Sequence, residues 1–192
     1  MATATVEVKQ LTGAGPTATA VTTPRLSTSD SAAPGTSNPI PILAAGLSYS
    51  YWMSLQLTIT AMNDATLLNN HKFYSDGTIA WALGTGGKFV VGLRDSGDNG
   101  CPAASYDQAT GTEGETGDDM EDDTDGHAYY KGQDPETGLV SAYSSAAKLT
   151  VDSGDHSSAE AFKHVVVQLV CDDDSTRGAL SAESLVFEWD EV

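Results

Sequence analysis

Basic residues are scarce in this chain: 9 Lys and Arg stand against 27 Asp and Glu in 192 residues, a formal charge of −18. Docking on nucleic-acid phosphates or on an anionic membrane surface needs a basic face, so neither nucleic acid nor a membrane is expected as a partner. Cysteine is nearly absent. Cys101 and Cys171 are too few and too far apart for a disulfide scaffold, or for a zinc site with its roughly four closely spaced ligands. Two free thiols are the expectation for a chain made in a cytosol. No apolar run can span a bilayer; the richest, Pro39 to Met53, is broken by Pro41, Gly46 and serines. The first ten residues have neither the basic nor the apolar region of a secretion signal, and no Asn-x-Ser/Thr sequon occurs. Aromatics amount to only 7% and hydrophobic residues to 40%, so the core is expected to cover only part of the chain.

What charge there is lies in one half. From Met1 to Leu93 the acids Glu7, Asp30, Asp64 and Asp76 balance the bases Lys9, Arg25, Lys72 and Lys88. The whole −18 therefore belongs to Arg94–Val192. Such asymmetry suggests one end facing solvent and another facing a partner.

The length favours one domain. Thr3 to Gln10 alternates in polarity and is rich in β-branched residues, as a half-buried strand is. Leu11 to Ser50 is dominated by Thr, Ser, Ala, Gly and Pro and holds Pro16, Pro24, Pro34, Pro39 and Pro41. Proline excludes a helix there, and the composition offers little for a core. Residues 1–48 are therefore expected to form an extended N-terminal arm and 49–192 the folded body. In the body, Ser54–Thr60 puts Leu55, Leu57 and Ile59 on one face. Further strands are expected at His71–Tyr74, Thr78–Ala82, Lys88–Leu93, Ala146–Val151, Lys163–Cys171 and Ser184–Trp189. Turns fall at Ser75–Gly77, Gly84–Gly87 and Asp172–Gly178, and single helical turns at Ala61–Asn70 and Ser157–Phe162. Residues 95–135, rich in glycine and acids, read as a long acidic insertion. Short strands with glycine-rich turns predict an all-β fold, a β-sandwich of the kind that includes jelly rolls.

Chemistry-bearing motifs are few. There is no Gly-x-Ser-x-Gly elbow, no reactive-cysteine signature, no Walker A and no dinucleotide fingerprint. His71, His127, His156 and His164 lie in different segments, and those within strands are expected to be hydrogen-bonded structural residues. Trp52 and Trp81 read as core, and Tyr129-Tyr130 as an exposed pair. Eight carboxylates lie between Glu113 and Asp125. Within them, Glu121-x-Asp123-x-Asp125-Gly126 has the alternate oxygens and the glycine of a calcium loop. It departs from that pattern in carrying Glu first and Gly132 at the twelfth position, and no flanking helices are expected. Glu121, Asp123 and Asp125 are the candidate calcium ligands, weighed against a solvated, self-repelling loop; no other cofactor is expected.

Several segments carry a resemblance. Leu55-Gln-Leu-Thr-Ile-Thr60, Asn70–Gly77 followed by Gly84-Thr-Gly86, Val165–Leu169 and Leu185–Glu191 resemble those of virion structural proteins of tailed bacteriophages and prophages. The resemblance runs from about Tyr49 onward, with the acidic insertion added, and brings no catalytic residue. It implies a non-enzymatic, all-β head, neck or tail protein located in the virion and assembled in the host cytoplasm. The expected partners are the major capsid protein or neighbouring virion subunits, with copies of the chain in a homo-oligomer. A capsid decoration or cement protein, bound through the neutral N-terminal arm, is the first expectation. A neck or tail component is its alternative, and an extracellular calcium-dependent binding module is the rival of a different class.

Overall fold

In the computed structural model, residues 3–75, 81–93, 105–132, 139–140 and 144–192 are described. The strongest alternation in the sequence becomes β4 (Met53–Ala61), with Leu55, Leu57 and Ile59 each 1% exposed. It lies between β1 (Thr5–Thr12) and β11 (Ala161–Cys171) in a seven-stranded sheet. β2 (Thr17–Ala20) pairs on the outside of β1 and forms that edge. β6 (Lys88–Gly92) follows β11, then β9 (Leu139–Val140), while β3 (Ser48–Tyr49) pairs with the end of β11. A second sheet has three strands in the order β10 (Leu149–Asp152), β5 (Leu68–Ser75), β12 (Leu185–Glu191). β7 (Gly111–Thr112) and β8 (Thr116–Gly117) form a small hairpin. Every pairing is antiparallel. The fold is all-β and sandwich-like, with no helix among the described residues.

β11 shows why the large sheet is an inner layer. Val165, Val167, Leu169 and Cys171 join Leu55, Phe73, Phe89 and Val91 in the core shared with the small sheet. Val166 and Val170 face the other way and pack with Trp52, Val90, Met120 and Tyr130. A strand buried on both faces reads as a continuous apolar run, as Val165–Val167 and Leu169–Cys171 do. Leu57, Ile59, Leu68 and Phe162 close the far end of the inter-sheet core.

Two expectations change here. The N-terminal segment is not an arm standing off the body. β1 pairs along β4 from Thr5↔Ala61 to Leu11↔Ser54, and Val8, Val21, Leu26 and Ile40 pack on the main core. The irregular stretch that follows spends its backbone groups on the body: Tyr51 N–H donates to Ser27 C=O at 2.8 Å, and Thr28 N–H to Asn38 C=O at 2.9 Å. Polar, proline-rich chain can be ordered this way when its hydrogen bonds are met by neighbours.

The acidic insertion is likewise not wholly a solvated loop. Its described part, residues 105–132, covers the outer face of the large sheet, with Met120, His127 and Tyr130 each 0% exposed. Tyr130 is thus core, not one of an exposed pair, while Trp52 is buried as expected. The segments expected to make single helical turns do not: Ala61–Asn70 is a turn leading into β5, and Ser157–Phe162 leads into β11. The expected turn at Ser75–Gly77 and strand at Thr78–Ala82 lie mostly outside the described residues, and Cys101 lies wholly outside them. Cys171 is a buried free thiol, and burial pushes its pKa up.

Candidate functional site

The acidic segment is fastened to the sheet by a buried amide. Gln168, central in β11 and 0% exposed, accepts a hydrogen bond from Met120 N–H at 2.9 Å. Its Nε2 donates to Ser50 C=O at 2.8 Å and Asp118 C=O at 2.7 Å. Every partner is a backbone group, and buried backbone groups need such partners. From the other side, Ser29 Oγ and Asn38 Nδ2 donate to Glu113 Oε1 at 2.9 and 3.0 Å. Gly13 N–H and Gln108 Nε2 both donate to Asp30 Oδ2, at 2.8 and 3.0 Å. The neutral segment and the acidic one are therefore laced together across the sheet.

Within the acidic run, two of the three candidate calcium ligands, Glu121 and Asp123, make separate contacts within the protein. Glu121 pairs with Lys88 of β6 and is drawn toward the sheet. Asp123 Oδ1 accepts from the Thr124 hydroxyl at 3.2 Å. Asp122, between them, accepts the N–H groups of Thr124 and Asp125 at 2.7 and 3.1 Å, which hold its carboxyl below the usual range. Gly132, where a bidentate glutamate would close a calcium shell, donates its N–H to Glu121 C=O at 2.9 Å. The loop closes through its backbone. The carboxylate oxygens of Glu121, Asp123 and Asp125 do not come together within 4.8 Å as a metal group would.

Among the described residues, carboxylates do converge within 4.8 Å at Asp172, Asp173 and Asp174, in the turn leaving β11. Two of them are already engaged. Asp172 Oδ2 accepts Gly86 N–H at 2.7 Å, and Asp174 accepts both Thr85 N–H and Thr85 Oγ1 at 2.8 Å. These bonds hold the Asp174 carboxyl low. Gly84 takes a φ of +85°, and a Cβ there would collide with the Asp174 carboxylate. The Gly84–Gly87 run is a turn, as expected; its Thr85 and Gly86 N–H groups point at protein carboxylates.

The histidines divide into two kinds. His164 Nδ1 lies 2.9 Å from Ser54 Oγ, and its Nε2 is 3.4 Å from Gln56 Nε2. A serine–histidine contact is the start of a triad, but the group beyond the ring is an amide, and Ser54 is 2% exposed. Burial lowers the His164 pKa, and among the described residues no carboxylate is hydrogen-bonded to its ring as the orienting anion of a triad would be. His71 differs. It is 0% exposed, stacks on Phe187 at 5.6 Å with Phe162 tilted against it at 4.7 Å, and among the described residues has no hydrogen-bond partner on either nitrogen. Burial drives its pKa down to about 4 against a smaller opposing pull from Asp152. His127 is also depressed to about 4 by burial; its Nδ1 faces Tyr129 N–H at 3.2 Å, while Nε2 has no partner among the described residues.

Against known proteins, the chain matches no family model, no curated protein and no solved structure. The geometry must speak for itself. One exposed feature is missed by periodicity: β2, Thr-Ala-Thr-Ala, ends the large sheet with all four residues exposed. No apolar residue long enough to mark a strand occurs in it; the only cue was threonine alternating with alanine after Gly15-Pro16.

Proposed function

We propose that the chain is a non-enzymatic structural subunit of a tailed-phage virion, a protein that decorates or cements the capsid. The observation that carries this reading is an uncharged, open sheet edge on a strongly acidic body. β2 sits in Leu11–Pro24, which has no charged residue, and among the described residues no other strand pairs with its outer row of N–H and C=O groups. Free-standing proteins usually blunt such edges with charge, proline or a bulge. An edge left open suits strand addition by a neighbouring subunit, where backbone bonds supply affinity.

Other features support the same arrangement. No charged residue occurs between Asp30 and Asp64, and two of the large exposed apolar side chains, Leu43 and Leu47, lie in that interval. Of the segments that resemble virion proteins, Leu55–Thr60, Val165–Leu169 and Leu185–Glu191 fall on β4, β11 and β12, and the start of Asn70–Gly77 falls on β5, so strands of both sheets carry them. In this reading the neutral N-terminal layer meets the major capsid protein or a neighbouring subunit, and the acidic layer faces solvent. The calcium-dependent module has no comparable support, since its proposed ligands are separated. Mass spectrometry of gradient-purified particles from the source phage or prophage tests the proposal. Peptides of this chain at a fixed multiple of the capsid protein are expected; particles free of it would overturn the reading.

A further inference from the structure

Among the described residues, the inter-sheet core is not closed at one side. A cavity of about 750 Å³ opens between the main core and the strands' covering segments, within the range of about 300–1,000 Å³ typical of small-molecule sites. Its floor includes Met53, Leu55, Leu169 and Cys171 from the large sheet. Its walls include Val21 and Leu26 of the N-terminal layer and Leu180 of the loop before β12. Trp81 forms part of another wall, fixed by its Nε1–H donating to Ser181 C=O at 2.8 Å. Protein interiors are normally packed to the density of organic crystals, with few voids larger than water. Apolar walls of this extent instead fit an apolar guest.

The lining adds a second observation. Arg25 is exposed and lines the cavity; like Lys72 and Arg177 it makes no ion pair among the described residues, which leaves its charge available to a ligand. Glu183 also lines the cavity, within 3.5 Å of Ser181 Oγ. We propose that this cavity binds an amphiphile with a hydrocarbon chain and an anionic head, the chain between the sheets and the head on Arg25. The inference is independent of the virion role. Glu183 opposes the head, so removing its charge strengthens binding.

The test uses the full chain with dodecanoate and dodecanol as probes, each displacing the fluorophore 1-aminoanthracene. Saturable one-to-one binding of both is expected. Dodecanoate should bind roughly 2–5-fold tighter, the worth of an exposed ion pair. Arg25→Gln should abolish that preference and Glu183→Gln should increase it. Leu180→Trp and Cys171→Phe fill the cavity from opposite walls, and whichever variant keeps the native near-UV circular dichroism should lose binding of both probes. Methyl NMR of the unaltered chain provides a second readout, with shifts expected at Val21, Leu26 and Leu169. No saturable binding, or methyl shifts elsewhere, would overturn the proposal. Equal affinity for the two probes would overturn the assignment of the head to Arg25.

Discussion

Two buried histidines make the stability of the fold depend on pH. His71 and His127 both have folded pKa values of about 4, below the ordinary value of about 6.5. Between those limits the unfolded chain binds more protons, so stability rises with pH across the window and is complete above it. Each histidine should remove up to about 3 kcal/mol on acidification from pH 7 to pH 4. His71→Phe should flatten part of that dependence, because a ring between Phe162 and Phe187 needs no proton acceptor. Urea denaturation at pH 7, 5.5 and 4.5 checks it; parallel losses in wild type and variant would contradict the assignment. At Gln168 the argument concerns hydrogen bonds. Gln168→Leu orphans Met120 N–H and the carbonyls of Ser50 and Asp118, and should cost about 2–4 kcal/mol in urea denaturation. Faster proteolysis within 105–132 should accompany it, because that amide is what fastens the segment.

At the scale of elements, the N-terminal strand belongs to the fold. Deleting residues 1–37 removes β1 from β4, takes Val8, Val21 and Leu26 off the core, and strips Ser29 from Glu113. The truncated chain should lose cooperative unfolding by circular dichroism; a stable, cooperative remnant would show that the N-terminal layer is only an appendage. How much of this was legible depends on the element. β4 and β11 were readable because Leu55, Leu57, Ile59 and the valines of 165–170 carry enough apolar area to declare their faces. β2 and β3 were not: Thr-Ala-Thr-Ala and Ser-Tyr are ordered by pairing, which depends on what lies beside them. The acidic segment misled for a related reason. Met120, His127 and Tyr130 are single anchors spaced along charged chain, without a period, so their burial is visible only once Trp52, Val90 and Val166 are beneath them. The alternate carboxylates of Glu121–Asp125 imitate a calcium loop in spacing, but Lys88 draws Glu121 toward the sheet and the Thr124 hydroxyl bonds to Asp123.

For the molecule as a whole, the −18 charge predicts a response to salt. Exposed carboxylates repel over a Debye length of about 8 Å at physiological ionic strength, so sodium chloride should raise the melting temperature. Calcium at matched ionic strength should raise it equally, because the carboxylates of Glu121, Asp123 and Asp125 do not converge. A saturable, calcium-specific rise, removed by Asp123→Asn, would contradict that. The larger claim is that the chain works by lending an open, neutral sheet edge to a neighbour. Cosedimentation with heads assembled from the major capsid protein of the same source measures it most directly, comparing wild type with the double variant Ala18→Lys, Ala20→Lys. Both residues are exposed on β2, so the variant should keep its fold and melting temperature. The account predicts saturable binding of the wild type and its loss in the folded variant; no binding by the wild type, or undiminished binding by the variant, would contradict it.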